Sequence, residues 1–427
     1  MVLEKEISGN LCKIIEDFDP KFKSRSKIVG WDEDLEDDWS HSDELCISMY
    51  DLFFSINDYY NNNWITMLLF YYGMYDVKIE IWLVIYMNNE ELFKKIENEL
   101  FNGRDSEIDY SINGIKYRIK FISYDHENGI NIPNIVAIPL VESVSKNIIF
   151  EANNMESEKS SDILEQGINT LGRLSILTYE EPGVIMVPLI PSYKNYPYLQ
   201  QLSRECFDLP KNDSSYRVDE QIVRMIDKTK DMVSSEFGVS LSDKIFLNGY
   251  SSSGVFAQRF SLLHPEVIDA VCIGGASGSI PVPSDDLDYP IGVKNYEELT
   301  GKKFNFEQYN DIKFRYYVGE YETVKKSNSR YDEDGNFAPM HDMSYFDRSV
   351  PSEVGKKQRE LFGKDMFERA NRTVQVLKSL GLNIEHHIIK GRGHNNYNDI
   401  VGVNELGDRF ITDSYREFIE ENKNREM

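Results

Sequence analysis

Residues 244–267 read KIFLNGYSSSGVFAQRFSLLHPEV, and this stretch decides the fold. Lys244 to Leu247 has the apolar content of a short buried strand. Gly249-Tyr250-Ser251-Ser252-Ser253-Gly254 is a tight turn, and Val255 to Leu263 is an amphipathic helix closed by His264-Pro265. A serine on such a turn projects its hydroxyl above the end of a sheet. The helix amino terminus behind it offers unpaired backbone N–H groups and a positive dipole end to a developing oxyanion. The residues two before and two after the serine must be small, because strand and helix pass close together there. Gly249 and Ser253 meet that requirement, with Ser251 between them. Ser252 and Ser253 are rival nucleophiles, but each lacks a glycine two positions earlier. A polar loop whose serines merely cap a helix is the alternative.

Outward from this stretch, strand-like runs recur at Ile135–Leu140, Asn147–Glu151, Gly183–Ile190, Ala270–Gly274, Ile312–Val318 and Asn383–Ile389. Between them Val218, Ile222, Ile226, Val233 and Phe237 share one helical face that stops at Gly238. Phe367, Ala370, Val374 and Leu377 share another that stops at Gly381. Alternating strands and helices, with apolar β-branched strands, predict an α/β domain: a mainly parallel sheet covered on both faces.

The amino-terminal part has a different rhythm. An acidic stretch, WDEDLEDDW, spans residues 31–39 and reads as a solvated loop. Val77 to Met87 reads as a strand. Asn89 can cap a helix bearing Leu92, Phe93, Ile96 and Leu100, and Asn113-Gly114 joins two strands as a hairpin turn. This β-α-β-β pattern predicts a small α+β domain over residues 1–128, preceding a catalytic domain over 129–427.

The chain has 427 residues with 47 Lys+Arg against 72 Asp+Glu, a formal charge of −25. That acidity argues against nucleic acid and against an anionic membrane surface, since both bind through Lys and Arg. The most apolar run, Trp64 to Tyr75, is followed by Asp76, Lys78 and Glu80 and falls short of the ~20 residues a bilayer needs. MVLEKEISGN has no basic region followed by an apolar one, and the four cysteines (Cys12, Cys46, Cys206, Cys272) show no paired spacing. Reduced thiols and a cytoplasmic location are the expectation, with no metal. Asp332, Asp334, Gly335 and Asn336 lack the full ligand spacing of a calcium loop.

The 244–267 stretch resembles the nucleophile elbow of α/β-hydrolases, G-x-S-x-G, and particularly that of esterases related to polyhydroxybutyrate depolymerases. Ser253 departs from the pattern, with Gly254 one place later. The resemblance implies a triad in the chain order Ser, acid, His. His394, in IIKGRGHNNY after the last predicted strand, matches the family's histidine loop; His264, His341, His386 and His387 are the other candidates. After Ile312–Val318 comes Gly319-Glu320-Tyr321-Glu322, where relatives carry Gly-x-x-Asp, so Glu322 takes the acid's place. Glu320, Asp332, Asp334 and Asp342 are alternatives.

Ser252 is the implied oxyanion donor on the elbow. Ser192 or Tyr193, in PSYKNYPYLQQL after the 183–190 strand, is the implied second donor. Tyr250 and Tyr196 are candidate substrate contacts, although the Tyr193, Tyr196 and Tyr198 cluster could equally be ordinary packing. The polar stretch of residues 324–358, VKKSNSRYDEDGNFAPMHDMSYFDRSVPSEVGKKQ, could cover the site, with Met340 to Phe346 as a lid. The expectation is a cofactor-free serine hydrolase that cleaves a small-molecule carboxylic ester through an acyl-enzyme. A peptidase or amidase with the same triad, or an inactive binding protein on this fold, is the alternative.

Overall fold

The computed structural model describes residues 90–112, 114–154, 157–178, 181–193, 195–196, 198–276, 280–320, 322, 352–363, 366–390 and 417, together with the paired two-residue strands Leu68–Leu69 and Trp82–Leu83. The acidic 31–39 stretch, residues 324–351 of the polar 324–358 stretch and the His394 loop lie outside the described residues.

Nine strands form one sheet: β1 (Ser106–Ile112), β2 (Ile115–Ile122), β3 (Asn134–Pro139), β4 (Ser145–Phe150), β5 (Gly183–Pro188), β6 (Ile245–Tyr250), β7 (Ile268–Gly274), β8 (Lys313–Gly319) and β9 (Ile384–Ile389). Their lateral order is β9-β8-β7-β6-β4-β5-β3-β2-β1. Strands β4 to β9 run parallel, and β1 to β3 complete the other edge as an antiparallel meander. The main helices are α1 (Glu90–Leu100), α2 (Ser160–Leu177), α3 (Val218–Phe237), α4 (Ser252–Leu263), α5 (Ser352–Phe362) and α6 (Met366–Ser379).

The central strands β3 to β7 are buried along almost their whole length because both faces are covered, and successive side chains alternate between two cores. Val136, Val184, Met186, Leu247 and Val271 face one core, with Ile222 of α3, Phe256 and Phe260 of α4 and Val374 of α6. Ile135, Ile185, Val187, Phe246 and Cys272 face the other, with Ile96 of α1 and Leu164, Leu171 and Leu174 of α2. Helix α3 ends where expected: Gly238, at φ 68°, donates its N–H to Ser234 O.

The expected domain boundary at residue 128 divides this sheet. Strands β1 and β2 pair antiparallel up to Ile112↔Ile115, and β2 also pairs with β3 from Tyr117↔Pro139 to Ile122↔Asn134. Tyr117, Ile119 and Phe121 are buried in the same core as Ile135 and Ala137. The alternating apolar face of β2 needs a cover, and it finds one by joining the large sheet. Among the described residues no helix is long and apolar enough to cross a membrane.

Candidate active site

Strand β6 ends at Tyr250 and α4 begins at Ser252, leaving Ser251 alone at the corner with φ 56° and ψ −116°. A side chain at positive φ costs roughly 1–3 kcal/mol and persists only where its surroundings enforce it. Here the Ser251 N–H donates to Gly274 O at 2.9 Å, and Ser251 O accepts the Val255 N–H at 3.0 Å, closing the first turn of α4. The glycines are required by close approach. A Cβ on Gly249 would lie 2.4 Å from the Ser253 carbonyl oxygen, and one on Gly254 would lie 2.8 Å from Ala276 Cβ and Gly274 O.

Ser252 is the first residue of α4, so its amide precedes the first intrahelical bond and lies beside Ser251 at the positive end of the helix. Its buried hydroxyl accepts from Gln201 Nε2 at 2.7 Å and Gln200 Nε2 at 3.2 Å. Ser192 Oγ in turn donates to Gln200 Oε1 at 3.1 Å. Ser192 is thereby tied to the elbow through its side chain. Its backbone N–H donates to Ser157 O at 2.9 Å, and that of Tyr193 donates to Tyr196 O at 3.3 Å. Both amides are engaged by carbonyls in this conformation.

The segment lying directly against the elbow backbone follows β4 instead. Strand β4 is the immediate neighbour of β6, whereas β5, which leads to Ser192, lies one strand further away. Asn154 Oδ1 accepts the Ser253 N–H at 2.9 Å, and Asn153 accepts the Ile190 N–H at 2.8 Å while donating to Ile190 O at 3.0 Å. Glu151, fully buried, accepts from Arg173, Asn248 and Ser253 beneath the turn. The sequence reading missed Glu151, Asn154 and Arg173. The available signal was the acid and paired asparagines in 147–154, NIIFEANN, directly after an apolar strand.

Glu322 lies just beyond β8 and is 1% exposed. Its Oε1 accepts the Gly319 N–H at 3.1 Å, its own N–H donates to Gly319 O at 3.1 Å, and its carbonyl accepts the Phe367 N–H at 3.0 Å from α6. Because β6, β7, β8 and β9 are parallel, Ser251, Glu322 and the end of β9 all emerge at one edge of the sheet. His394 follows Ile389 by five positions in the sequence and lies outside the described residues, as does His341.

The remaining histidines are placed elsewhere. His264 lies past the far end of 12-residue α4, about 18 Å along the helix from Ser251. It bonds Asp219 Oδ2 at 3.0 Å and Glu266 Oε1 at 3.1 Å. His386 and His387 lie within edge strand β9, and burial pulls the His386 imidazole down to about 4. Of the tyrosines, Tyr250 is buried with its ring stacked on Tyr317 at 6.1 Å, Tyr196 packs partly buried against the first core, and Tyr193 is exposed. Among the described residues Asp219, Glu220 and His264 come close enough to share a cation. Arg217 already bonds both carboxylates, at 2.7 and 3.0 Å, and occupies that place.

A mainly parallel sheet, a strained serine between a central strand and its helix, and a buried acid beyond the strand two places along define an α/β-hydrolase fold. No family model matches the chain, and no curated protein matches it. Among solved structures it is similar to the poly(3-hydroxybutyrate) depolymerase LpqC from Bordetella parapertussis, at 12% identity over 71% of this chain and 89% of that one, with a TM-score of 0.41. Poly(aspartic acid) hydrolase-1 from Sphingomonas sp. KT-1 is similar at 11% identity over 69% and 94%, TM-score 0.39. An S-formylglutathione hydrolase from Agrobacterium tumefaciens is similar at 12% identity over 73% and 98%, TM-score 0.38.

Proposed function

We propose that this protein is a serine hydrolase that cleaves a carboxylic ester through an acyl-enzyme. The observation that carries the reading is Ser251 itself, a non-glycine residue at φ 56° between a central parallel strand and the amino terminus of a helix. Ser251 Oγ attacks the ester carbonyl while His394 takes its proton. The tetrahedral oxyanion is held by the Ser252 N–H and by a backbone N–H of the 152–154 segment. Collapse breaks the C–O bond, and the leaving alkoxide takes the proton from His394. Water, deprotonated by the same imidazole, then attacks the acyl group, the bond to Ser251 Oγ breaks, and the imidazole returns the proton to Oγ as the acid leaves. Glu322 accepts the other imidazole N–H and stabilises the imidazolium. No step calls on a metal or an organic cofactor. The ester assignment rests on the resemblance of the 249–254 turn to that of esterases, and the alcohol is a better leaving group than an amine.

A fluorophosphonate probe and a panel of short activated esters and amides test the reading. Wild type is expected to label and to turn over esters. Ser251→Ala and His394→Ala should each lower turnover by ~10⁶ if the triad acts as a unit. Wild type that neither labels nor hydrolyses any panel member would refute it. Amide turnover matching ester turnover would move the assignment to a peptidase or amidase.

A further inference from the structure

Ser253 stands where the elbow pattern has glycine, and its hydroxyl is built into the turn. Ser253 Oγ accepts the Tyr250 N–H at 2.9 Å, satisfying a backbone donor at the point where β6 ends. Its single proton has two acceptors within reach, Glu151 Oε1 at 2.8 Å and Tyr250 O at 2.9 Å. A carboxylate accepts more strongly than a carbonyl, so the proton goes to Glu151. Glu151 is fully buried, and Arg173 Nη2 approaches its Oε1 to 2.5 Å while Asn248 Nδ2 donates to its Oε2 at 2.6 Å. The Ser253 N–H is meanwhile held by Asn154 Oδ1 at 2.9 Å. One residue therefore joins the elbow to both ends of the 151–154 segment.

We infer that Ser253 and Glu151 are positioning residues, a brace that ties the strained Ser251 turn to the segment after β4 and sets the geometry in which Ser251 reacts. The inference rests on the serine-hydrolase reading of Ser251. A residue at φ 56° relaxes unless its flanks are pinned. The flank before it (the Tyr250 N–H) and the flank after it (Ser253) are both secured by a single hydroxyl on a buried carboxylate. Glycine at 253 would leave the Tyr250 N–H without this acceptor. The departure from the family pattern is thus an added constraint on the turn. Loss of the brace should act on the reacting geometry and leave ground-state binding alone, so it should lower kcat and spare KM.

Ser253→Ala in the full chain is the critical variant, because Glu151→Gln weakens the buried partner of Arg173 and can fail to fold. At a temperature where circular dichroism shows Ser253→Ala folded, kcat and the fluorophosphonate labelling rate are expected to fall about 10–100-fold, with KM within about twofold. Ser253→Gly, which also lacks the hydroxyl and adds no bulk at this fully buried position, should show the same loss. Exchange of the Tyr250 amide should accelerate at least about tenfold in both Ser253→Ala and Ser253→Gly. A folded Ser253→Ala with wild-type kcat, labelling and Tyr250 exchange overturns the inference. Wild type that neither labels nor turns over is a failure of the hydrolase reading and removes the catalytic role. Tyr250 exchange then still decides whether the brace exists.

Discussion

Helix α4 has a buried ionic network at each end, and the two ends are built for different purposes. At its start, Glu151 and Arg173 lie beneath a serine held at positive φ. At its finish, His264, Asp219 and Arg217 form a tighter network: Asp219 is fully buried, Arg217 meets it at 2.7 Å and His264 at 3.0 Å. Histidine, carboxylate and cation are all present at the finish, and a motif search by residue type would stop there. No strained serine accompanies them. Burial alone would raise the Asp219 carboxyl, but the His264 and Arg217 hydrogen bonds outweigh it and hold it well below the usual carboxylate range. The charges at the finish are neutralised by one another, whereas those at the start lie beneath the Ser251 turn, where the proposed nucleophile sits. Composition is shared between the ends; backbone geometry separates them.

Substitutions at the two ends should therefore fail in opposite ways. Ser251→Ala should cost ~10⁶ in turnover while leaving the melting temperature close to wild type, since it keeps the backbone and one Cβ. Asp219→Ala leaves the buried Arg217 and His264 without their shared carboxylate, and removing one partner of a buried pair typically costs about 3–5 kcal/mol. Urea unfolding followed by fluorescence would measure that loss. Activity per folded molecule should remain within a few-fold of wild type. A large kcat loss in a folded Asp219 variant would show that the two ends are coupled through α4.

The pH dependence sharpens the same contrast. Burial pulls the His264 imidazole down, and its hydrogen bonds to Asp219 and Glu266 outweigh that, for a net rise above the ordinary 6.5. A raised histidine contributes its full stability below pH 6.5 and loses it as pH rises through the folded value. The depressed Asp219 contributes above its ordinary 3.8 and loses its share as pH falls. The distal network is thus strongest between about pH 4 and 6.5. Wild type should lose stability on going from pH 6 to 9, by about 1.4 kcal/mol for each pH unit separating the ordinary and raised values. His264→Gln should flatten that slope when melting temperature is followed against pH. A slope unchanged in His264→Gln would place the titrating group elsewhere.

How much of this was legible depends on how far apart the interacting residues are. The strand, turn and helix of 244–267 are contiguous, so their pattern alone marked Ser251 as the corner residue. The same holds for the Gly238 stop of α3 and for Glu322 just beyond β8. Lateral strand order is set by pairings between distant segments, and no local periodicity carries it. Strand order is what separates the two places for a second oxyanion donor: Ser192 and Tyr193 follow β5, whereas the proposed donor follows β4, the strand beside β6. Separation along the chain is also why the β1–β2 pairing is legible from the sequence while the pairing of β2 with β3 is not. Glu151 was hidden for a related reason: Arg173, Asn248 and Ser253 are 22, 97 and 102 positions away from it.

The smallest effect bears most directly on what distinguishes the elbow. At an ordinary position glycine is less stable than alanine by roughly 0.5–1 kcal/mol, because it loses more backbone freedom on folding. At φ 56°, ψ −116° the order should reverse, since glycine populates that region readily while any Cβ bears about 1–3 kcal/mol of strain. Ser251→Gly should therefore be more stable than Ser251→Ala by about 1 kcal/mol, and both should be inactive. Comparing two inactive variants removes every contribution of the hydroxyl and leaves the backbone alone. Equal or lower stability of the glycine variant would mean that no strain is stored at residue 251. The turn would then differ from the far end of α4 in its chemistry but not in its backbone energy.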